Sequence, residues 1–433
     1  MSPVTLILSI ACSGPSADIQ ELQIEVDDDV VTRVHVSWTS SEATIARVDF
    51  GVDGLDQSTP WEDSPTTEHH AVLLGLPSLT TARLRIQEQS GALGEDEEVS
   101  TGLLPSSVPA FDHEGEEFAN WSLLPVSADG GDHSVLVLDG LGQVVWYDQP
   151  PTSEFGSFTA ELSPDGQSIY YLQNDSVARV RLDGSERENI DLAGWDVHHD
   201  LTLLPEGGFA ILGKVEGLVE GDAVSGDLLV EVDEDGQERV VWNFFDVLDQ
   251  LALDAVDLKT VDTGMDFSHA NSLTYDADAD AYLINLARLH RLLSVDRSTG
   301  ELNWYLHGAG TSGLEFQPDR LLMRTHDTDL GPEGLLVFVN NTEDDECSWV
   351  ARVKLEPAFE RASLLGAFDS EVCRDVFALG SAHSNDQGGA LISWSTEGVL
   401  EEIDADWKSR GSISVSLGHA FGYSYPLSSL YPP

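Results

Sequence analysis

The sequence predicts an all-β protein, a small β-sandwich followed by a six-bladed β-propeller, on three observations. Apolar and polar residues alternate in short runs from residue 19 to 104. A two-strand unit then recurs six times between residues 110 and 433, and almost nothing has the 3.6-residue periodicity of a helix. A length of 433 residues allows roughly three average domains, although large β architectures exceed that average as one unit.

In chain order, residues 1–12 read as a lipoprotein signal peptide, because a short apolar run from Val4 to Ala11 ends in a small residue and Cys12. Residues 13–18 follow as a polar linker. This predicts an exported protein, periplasmic or at the cell surface, lipidated at Cys12 and touching membrane only through that anchor. The run falls far short of the ~20 apolar residues that span a bilayer, as does every other stretch. An ordinary buried strand is its competing reading.

Residues 19–104 hold runs such as Thr32 to Trp38, Ala46 to Phe50 and His70 to Leu74, with turn residues every 8 to 12 positions, the pattern of a small antiparallel sandwich. The Val36-Ser-Trp38 strand and Leu76-Pro-Ser-Leu-Thr-Thr81 ahead of Arg83 to Ile86 resemble fibronectin type III domains. That resemblance implies a spacer or a homodimerisation element, and no site is apparent in it. Glu95 to Glu98 and Pro105 to Pro109 mark its end.

From residue 110 each unit is an apolar strand, a loop and a second strand that often finishes in Trp. The apolar strands begin at Ser134, Ser168, Phe209, Ala281, Leu335 and Ala390, and second strands end at Trp146, Trp242 and Trp304. Six copies make the propeller of residues 110–433. A short helix from Phe244 to Asp254 is the expected interruption.

Composition narrows the function. There are 21 Lys and Arg against 77 Asp and Glu, a net charge of −56, which excludes nucleic acid and anionic lipid as partners for a basic patch. Acid spread along the whole chain is a mark of solubility or of life at high salt. From Leu286 to His326 the balance differs, with five arginines against four acids. Apart from Cys12, only Cys347 and Cys373 are present, the one pair available for a disulfide in an oxidising compartment.

Three of the units begin with a histidine in one frame. His198-His199-Asp200 precedes the strand at Phe209, His269-Ala-Asn271 the strand at Ala281, and Thr325-His326-Asp327 the strand at Leu335. Superposing the Pro-Glu-Gly turns at Pro205 and Pro332 aligns His199 with His326, and superposing Leu201-Thr202 on Leu273-Thr274 aligns His199 with Asn271. Residues two apart on a strand share a face, so His269 and Asn271 are expected to point together and His198 and His199 apart. First strands of propeller blades line the central channel, so His199, His269, Asn271 and His326 converge there, with Arg288 beside them. Singly, each histidine is as well explained by a hydrogen bond to nearby backbone, and the in-frame repetition is what distinguishes them. His198, Arg291 and Arg324 are further candidates for binding substrate.

Gly194 to Gly213, Asp266-Phe-Ser-His-Ala-Asn-Ser272 onward through Leu286-Ala-Arg288 to Trp304, and Thr325-His326-Asp327 to Phe338 resemble the bacterial arylsulfate sulfotransferase family. Val137 to Trp146 and Gly422 to Tyr431 are similar too, so the likeness covers nearly all of residues 110–433. The resemblance implies an exported six-bladed propeller that moves a sulfuryl group from a small aryl sulfate donor to a phenolic acceptor, with no nucleotide donor and no cofactor. It places the catalytic histidine on His326 and the supporting residues on His199, His269, Asn271 and Arg288. The chain departs from the family pattern at Thr325 and at Asn285-Leu286-Ala287.

Sulfuryl transfer asks for such side chains on chemical grounds, because charge spreads over three equatorial oxygens and builds on the leaving oxygen. An unprotonated imidazole is a competent nucleophile at neutral pH, and a sulfohistidine divides the transfer into two easier steps. Two rival readings share the fold. One is a surface-anchored propeller that binds without turnover; the other is a hydrolase whose histidines hold Ca²⁺ or Zn²⁺, which an arginine in the same cluster opposes. No Gly-x-Ser-x-Gly elbow, P-loop or dinucleotide fingerprint is present.

Overall fold

The computed structural model describes residues 6–8, 19–89, 91–92, 94, 96–128, 131–150, 158–253, 266–310, 313–331, 333–340, 347–356, 360–416 and 418–431. Cys12 and its surroundings lie outside them. The described residues form eight antiparallel sheets. Two belong to the amino-terminal part: Leu6–Leu8, Ile19–Val26, Val34–Thr44 and Thr66–Leu73 make one, and Ala46–Gly51 with Thr81–Glu88 the centre of the other. Their alternation puts Val34, Val36, Trp38, Val48, Phe50 and Leu84 into one shared core. The apolar run near the amino terminus thus contributes a short strand, Leu6–Leu8, paired with Leu22 to Ile24.

The remaining six sheets follow in succession and give the chain its propeller-type, all-β architecture. Five predicted apolar strands are second from the inner edge of their sheets, Ser168–Gln173, Phe209–Val219, Ala281–Leu286, Gly334–Val339 and Ala390–Trp394, and the sixth, His133–Leu138, is third in its sheet. These strands are buried on both faces, which is why they read as continuous apolar runs. The ring closes at both ends. Phe111–Gly115 adds an outer strand to the sixth sheet, and His419–Phe421 and Tyr425–Leu427 add inner strands to the first. The expected helical interruption is Phe244–Val247, capped by the Asn243 side chain and continued as a 3₁₀ turn over Leu248–Gln250. A disulfide joins Cys347, just ahead of the third strand of the fifth sheet, to Cys373 in the connection from the fifth sheet to the sixth.

First strands of neighbouring sheets run side by side without pairing in a ladder. Their inward backbone groups are met instead by side chains from the adjacent sheet. Glu161 of the second sheet accepts from Leu203 N at 3.0 Å, and Asp200 of the third from Leu273 N at 2.8 Å. Thr274 of the fourth donates to the Thr328 carbonyl at 2.6 Å, Asp327 of the fifth accepts from Ala382 N at 3.2 Å, and His383 of the sixth lies 3.1 Å from the Ser424 carbonyl. The amino-terminal sheets attach to this ring through Val31 N on the Tyr147 hydroxyl (3.1 Å), Arg33 on the Leu182 carbonyl (3.1 Å) and Leu74 N on the Tyr431 hydroxyl (2.8 Å). Gly184, at φ +77°, lies under the Arg33 guanidinium, where an added Cβ would fall 2.3 Å from Nη2.

Burial, with Asp200 nearby, pushes the Glu161 carboxyl up from 4.5 to about 8, and burial pushes Asp200 up from 3.8 to about 7. Between the unfolded and folded values the native protein holds protons that the unfolded chain has released, so these groups lower stability as pH rises through that range. His199 and His326, held below 6.5, act in the opposite sense only on the acid side of 6.5. The melting temperature should therefore fall between pH 6.5 and 8, by on the order of 2 °C, and Glu161→Gln should flatten the fall in a thermal unfolding series; a melting temperature that rises over that range contradicts the assignment.

Candidate active site

The starts of the third, fourth and fifth sheets bring His199, His269 and His326 together. The rings of His199 and His269 are 4.9 Å apart and those of His199 and His326 6.0 Å. Each of these strand starts is bulged: the register shifts between His198 and Leu201, between Ala270 and Ser272, and between Thr325 and Thr328. The backbone is also left-handed at His199 (φ +57°), His269 (+50°) and Arg324 (+54°), conformations that cost a non-glycine residue about 1–3 kcal/mol unless its surroundings enforce them. The bulges override the two-residue periodicity. His198 and His199, expected on opposite faces, turn their rings to each other, with centroids 5.1 Å and Nδ1 atoms 2.9 Å apart.

His326 is buried and its ring state follows from its partner. The Tyr423 hydroxyl donates to the Asn271 carbonyl and lies 2.9 Å from His326 Nδ1. A hydroxyl has one proton, so here the tyrosine oxygen accepts and Nδ1 carries the hydrogen. Nε2 keeps its lone pair. Burial, then the charges of His269 and Arg324, pushes the His326 imidazole down to about 3, so it is neutral across the physiological range. His199 is held well below 6.5 by burial and by neighbouring His198, His269, His326 and Lys214. Beneath them Asn271 is fixed in a buried amide network: its Nδ2 donates to the Thr325 carbonyl (3.2 Å) and its Oδ1 accepts from Asn285 Nδ2 (2.5 Å), while Thr325 Oγ1 donates to Asn285 Oδ1 (2.5 Å). One Asn271 N–H remains. Two positions at which the chain departs from the family pattern, Asn285 and Thr325, are thus bonded to each other.

An ionic group lies on the other side of the histidines. Lys214 Nζ bridges Asp227 (2.7 Å) and Asp266 (2.5 Å), His269 Nδ1 lies 2.5 Å from Asp266 Oδ2, and His198 Nε2 lies 3.1 Å from Asp227 Oδ1, close but off the line of a hydrogen bond. The hydrogen bond from His269 and the Lys214 charge outweigh burial and hold Asp266 well below its ordinary range. Arg288 sits on the 3₁₀ turn Ala287–Leu289, whose first N–H donates to the His269 carbonyl at 3.0 Å. It is half-buried and makes no hydrogen bond or ion pair among the described residues. In a chain with 77 acidic residues, a guanidinium without a carboxylate suits an exogenous anion.

Arg291 and Arg324 are placed differently from Arg288. Arg291 is fully buried with its guanidinium on the carbonyls of Leu289 and Leu251, so it does not join the group. The Arg324 guanidinium turns to the Phe377 carbonyl at 3.0 Å and acts on His326 through its charge. Residues that sequence reasoning missed are Tyr423, Lys214, Asp227 and Asp266. Asp266 and Tyr423 lie within segments that resemble the family, and Lys214 is one of only four lysines, but none of these signals assigned a role. Among the described residues no set of three or more His, Cys, Asp or Glu is gathered closely enough to hold a metal ion, and no helix is long and apolar enough to cross a membrane.

Residues 112–351 match the model of the family described as Arylsulfotransferase (ASST). No curated protein sequence matches the chain. Among solved structures the chain is similar to a protein of unknown function from Bacteroides caccae, at 14% identity over 72% of this chain and 100% of that one with a TM-score of 0.48. It is also similar to a streptogramin B lyase (10%, 71% and 98%, 0.40) and to TolB from Acinetobacter baumannii (10%, 81% and 81%, 0.39). Identities this low carry no information about chemistry.

The hydrogen bonding of His326 has a spectroscopic consequence. In ¹⁵N-resolved NMR spectra at pH 5 its ring should be neutral with the hydrogen on Nδ1, and Tyr423→Phe should remove that tautomeric preference. A titration midpoint near 6.5 in the unaltered protein would show the ring to be solvated.

Proposed function

The chain belongs to the arylsulfotransferase family, and from that premise we propose that it transfers a sulfuryl group from an aryl sulfate to a phenolic acceptor by a ping-pong route through His326. The observation that carries this reading is a buried, neutral histidine with a bare Nε2 beside His199, which packs in turn on His269, while Arg288 makes no hydrogen bond or ion pair among the described residues and sits on the turn bonded to the His269 carbonyl. In the first half-reaction Nε2 attacks sulfur, the S–O bond to the aryl group breaks, and the departing phenolate takes a proton. In the second a phenolic acceptor loses its proton and attacks the sulfohistidine, returning His326 to its starting state. Arg288, His199 and the remaining Asn271 N–H would receive the charge that spreads over the sulfuryl oxygens.

The finer architecture belongs to the same proposal. The six successive sheets are taken as six blades over residues 110–433, and the two amino-terminal sheets as a fibronectin-like sandwich over residues 19–104. Export and lipidation at Cys12 are proposed from the sequence at the amino terminus, and the Cys347–Cys373 disulfide suits an oxidising compartment.

Purified protein should release nitrophenol from 4-nitrophenyl sulfate with parallel-line kinetics against a phenol acceptor. His326→Ala should lower the rate by at least about 10³-fold. Intact mass after brief exposure to donor alone should show one sulfuryl adduct on the unaltered chain and none on the variant, and full activity in His326→Ala would sink the scheme.

A further inference from the structure

Within the proposed transfer, one step has no donor assigned to it: the proton that the departing phenolate takes up. Neither His199 nor His326 suits it, since both are held well below the ordinary imidazole range and are neutral near pH 7. His269 is partly exposed, packs against the His199 ring at 4.9 Å, and is the member of the three with a carboxylate on Nδ1.

Its surroundings are arranged around that contact. Asp227 Oδ2 accepts from the Ser268 hydroxyl at 2.5 Å and from Ala270 N at 2.6 Å, so one carboxylate holds the residues on both sides of His269, whose backbone is left-handed. The other Asp227 oxygen and Asp266 share Lys214. Two carboxylates and one ammonium leave a single negative charge in a partly buried group. Such a charge is costly without a counterion, and the proton of an imidazolium at His269, 2.5 Å from Asp266 Oδ2, supplies one.

We propose that His269 is the proton carrier of the reaction, general acid to the leaving phenolate and general base to the incoming phenol, with Asp266, Lys214 and Asp227 as the positioning residues that hold the proton on it. In the donor half-reaction the Nε2 hydrogen of His269 moves to the phenolate oxygen as the S–O bond breaks, leaving neutral His269. In the acceptor half-reaction the phenol hydroxyl hydrogen returns to Nε2 as the new S–O bond forms. Atoms and charge balance over the cycle with no further reactant.

This inference rests on the sulfuryl-transfer reading, and a comparison of donors separates the two. General acid catalysis matters most for a poor leaving group and contributes about 10²–10⁴-fold. Asp266→Asn and His269→Gln should each lower kcat/KM by about 100-fold or more for phenyl sulfate and by less than about 10-fold for 4-nitrophenyl sulfate, while Asp266→Glu should recover phenyl sulfate turnover. The His269 variant carries the comparison should Asp266→Asn fail to fold. Equal losses for the two donors, or none, would overturn the proton-carrier role. Absence of turnover in the unaltered protein would remove the transfer reading itself.

Discussion

The inner edge of each sheet sets the terms for everything else in this protein. A first strand that faces a channel has backbone N–H and C=O groups with no neighbouring strand in register, and buried polar groups left without partners are costly. Side chains from the preceding sheet answer them, through Glu161, Asp200, Thr274 and Asp327 in turn. Because these links run sheet to sheet, they also fix the distances between histidines that stand on different sheets. Asp227 shows the coupling most directly. It lies on the long hairpin of the third sheet yet anchors Ser268 and Ala270 of the fourth, so that His199 and His269 are referred to one framework.

That coupling explains what could be read from the sequence. Six doubly buried strands announce themselves as apolar runs, and in-frame histidines stand out because the sheets repeat. The directions of those histidines could not be read, because a bulge inserts an unpaired residue and periodicity has no term for it. The pairing of Tyr423 with His326 was unreadable for another reason: 97 residues separate them, and only closure of the ring makes them neighbours. Arg288 and Arg291 illustrate the limit within a single turn. They are the same residue type three positions apart, yet one has no acid among the described residues and the other is capped by backbone carbonyls in the core.

The charge pattern also changes meaning. Five arginines between Leu286 and His326 suggest a basic segment, but Arg297 is engaged by Glu206 and Glu231, Arg320 by Asp369, Arg291 by carbonyls and Arg324 by Phe377. What remains is one guanidinium, that of Arg288, without a hydrogen bond or ion pair among the described residues, and a surplus counted along the chain is a poor guide to it. The acidic excess has its own division of labour. Most of it is solvated, while Asp200, Asp227 and Asp327 are interior parts of the ring.

The tyrosine that orients His326 arrives on the segment that closes the first sheet, after every blade strand has been made. A nascent chain that has emerged as far as Leu400 already contains all three histidines, the arginine and the lysine bridge, yet the imidazole at position 326 has no partner for Nδ1 and the inner edge of the first sheet is open. Orientation of the imidazole is therefore coupled to closure of the ring, so that loosening the segment from His419 to Leu427 withdraws the partner of Nδ1 while leaving the histidine cluster itself untouched.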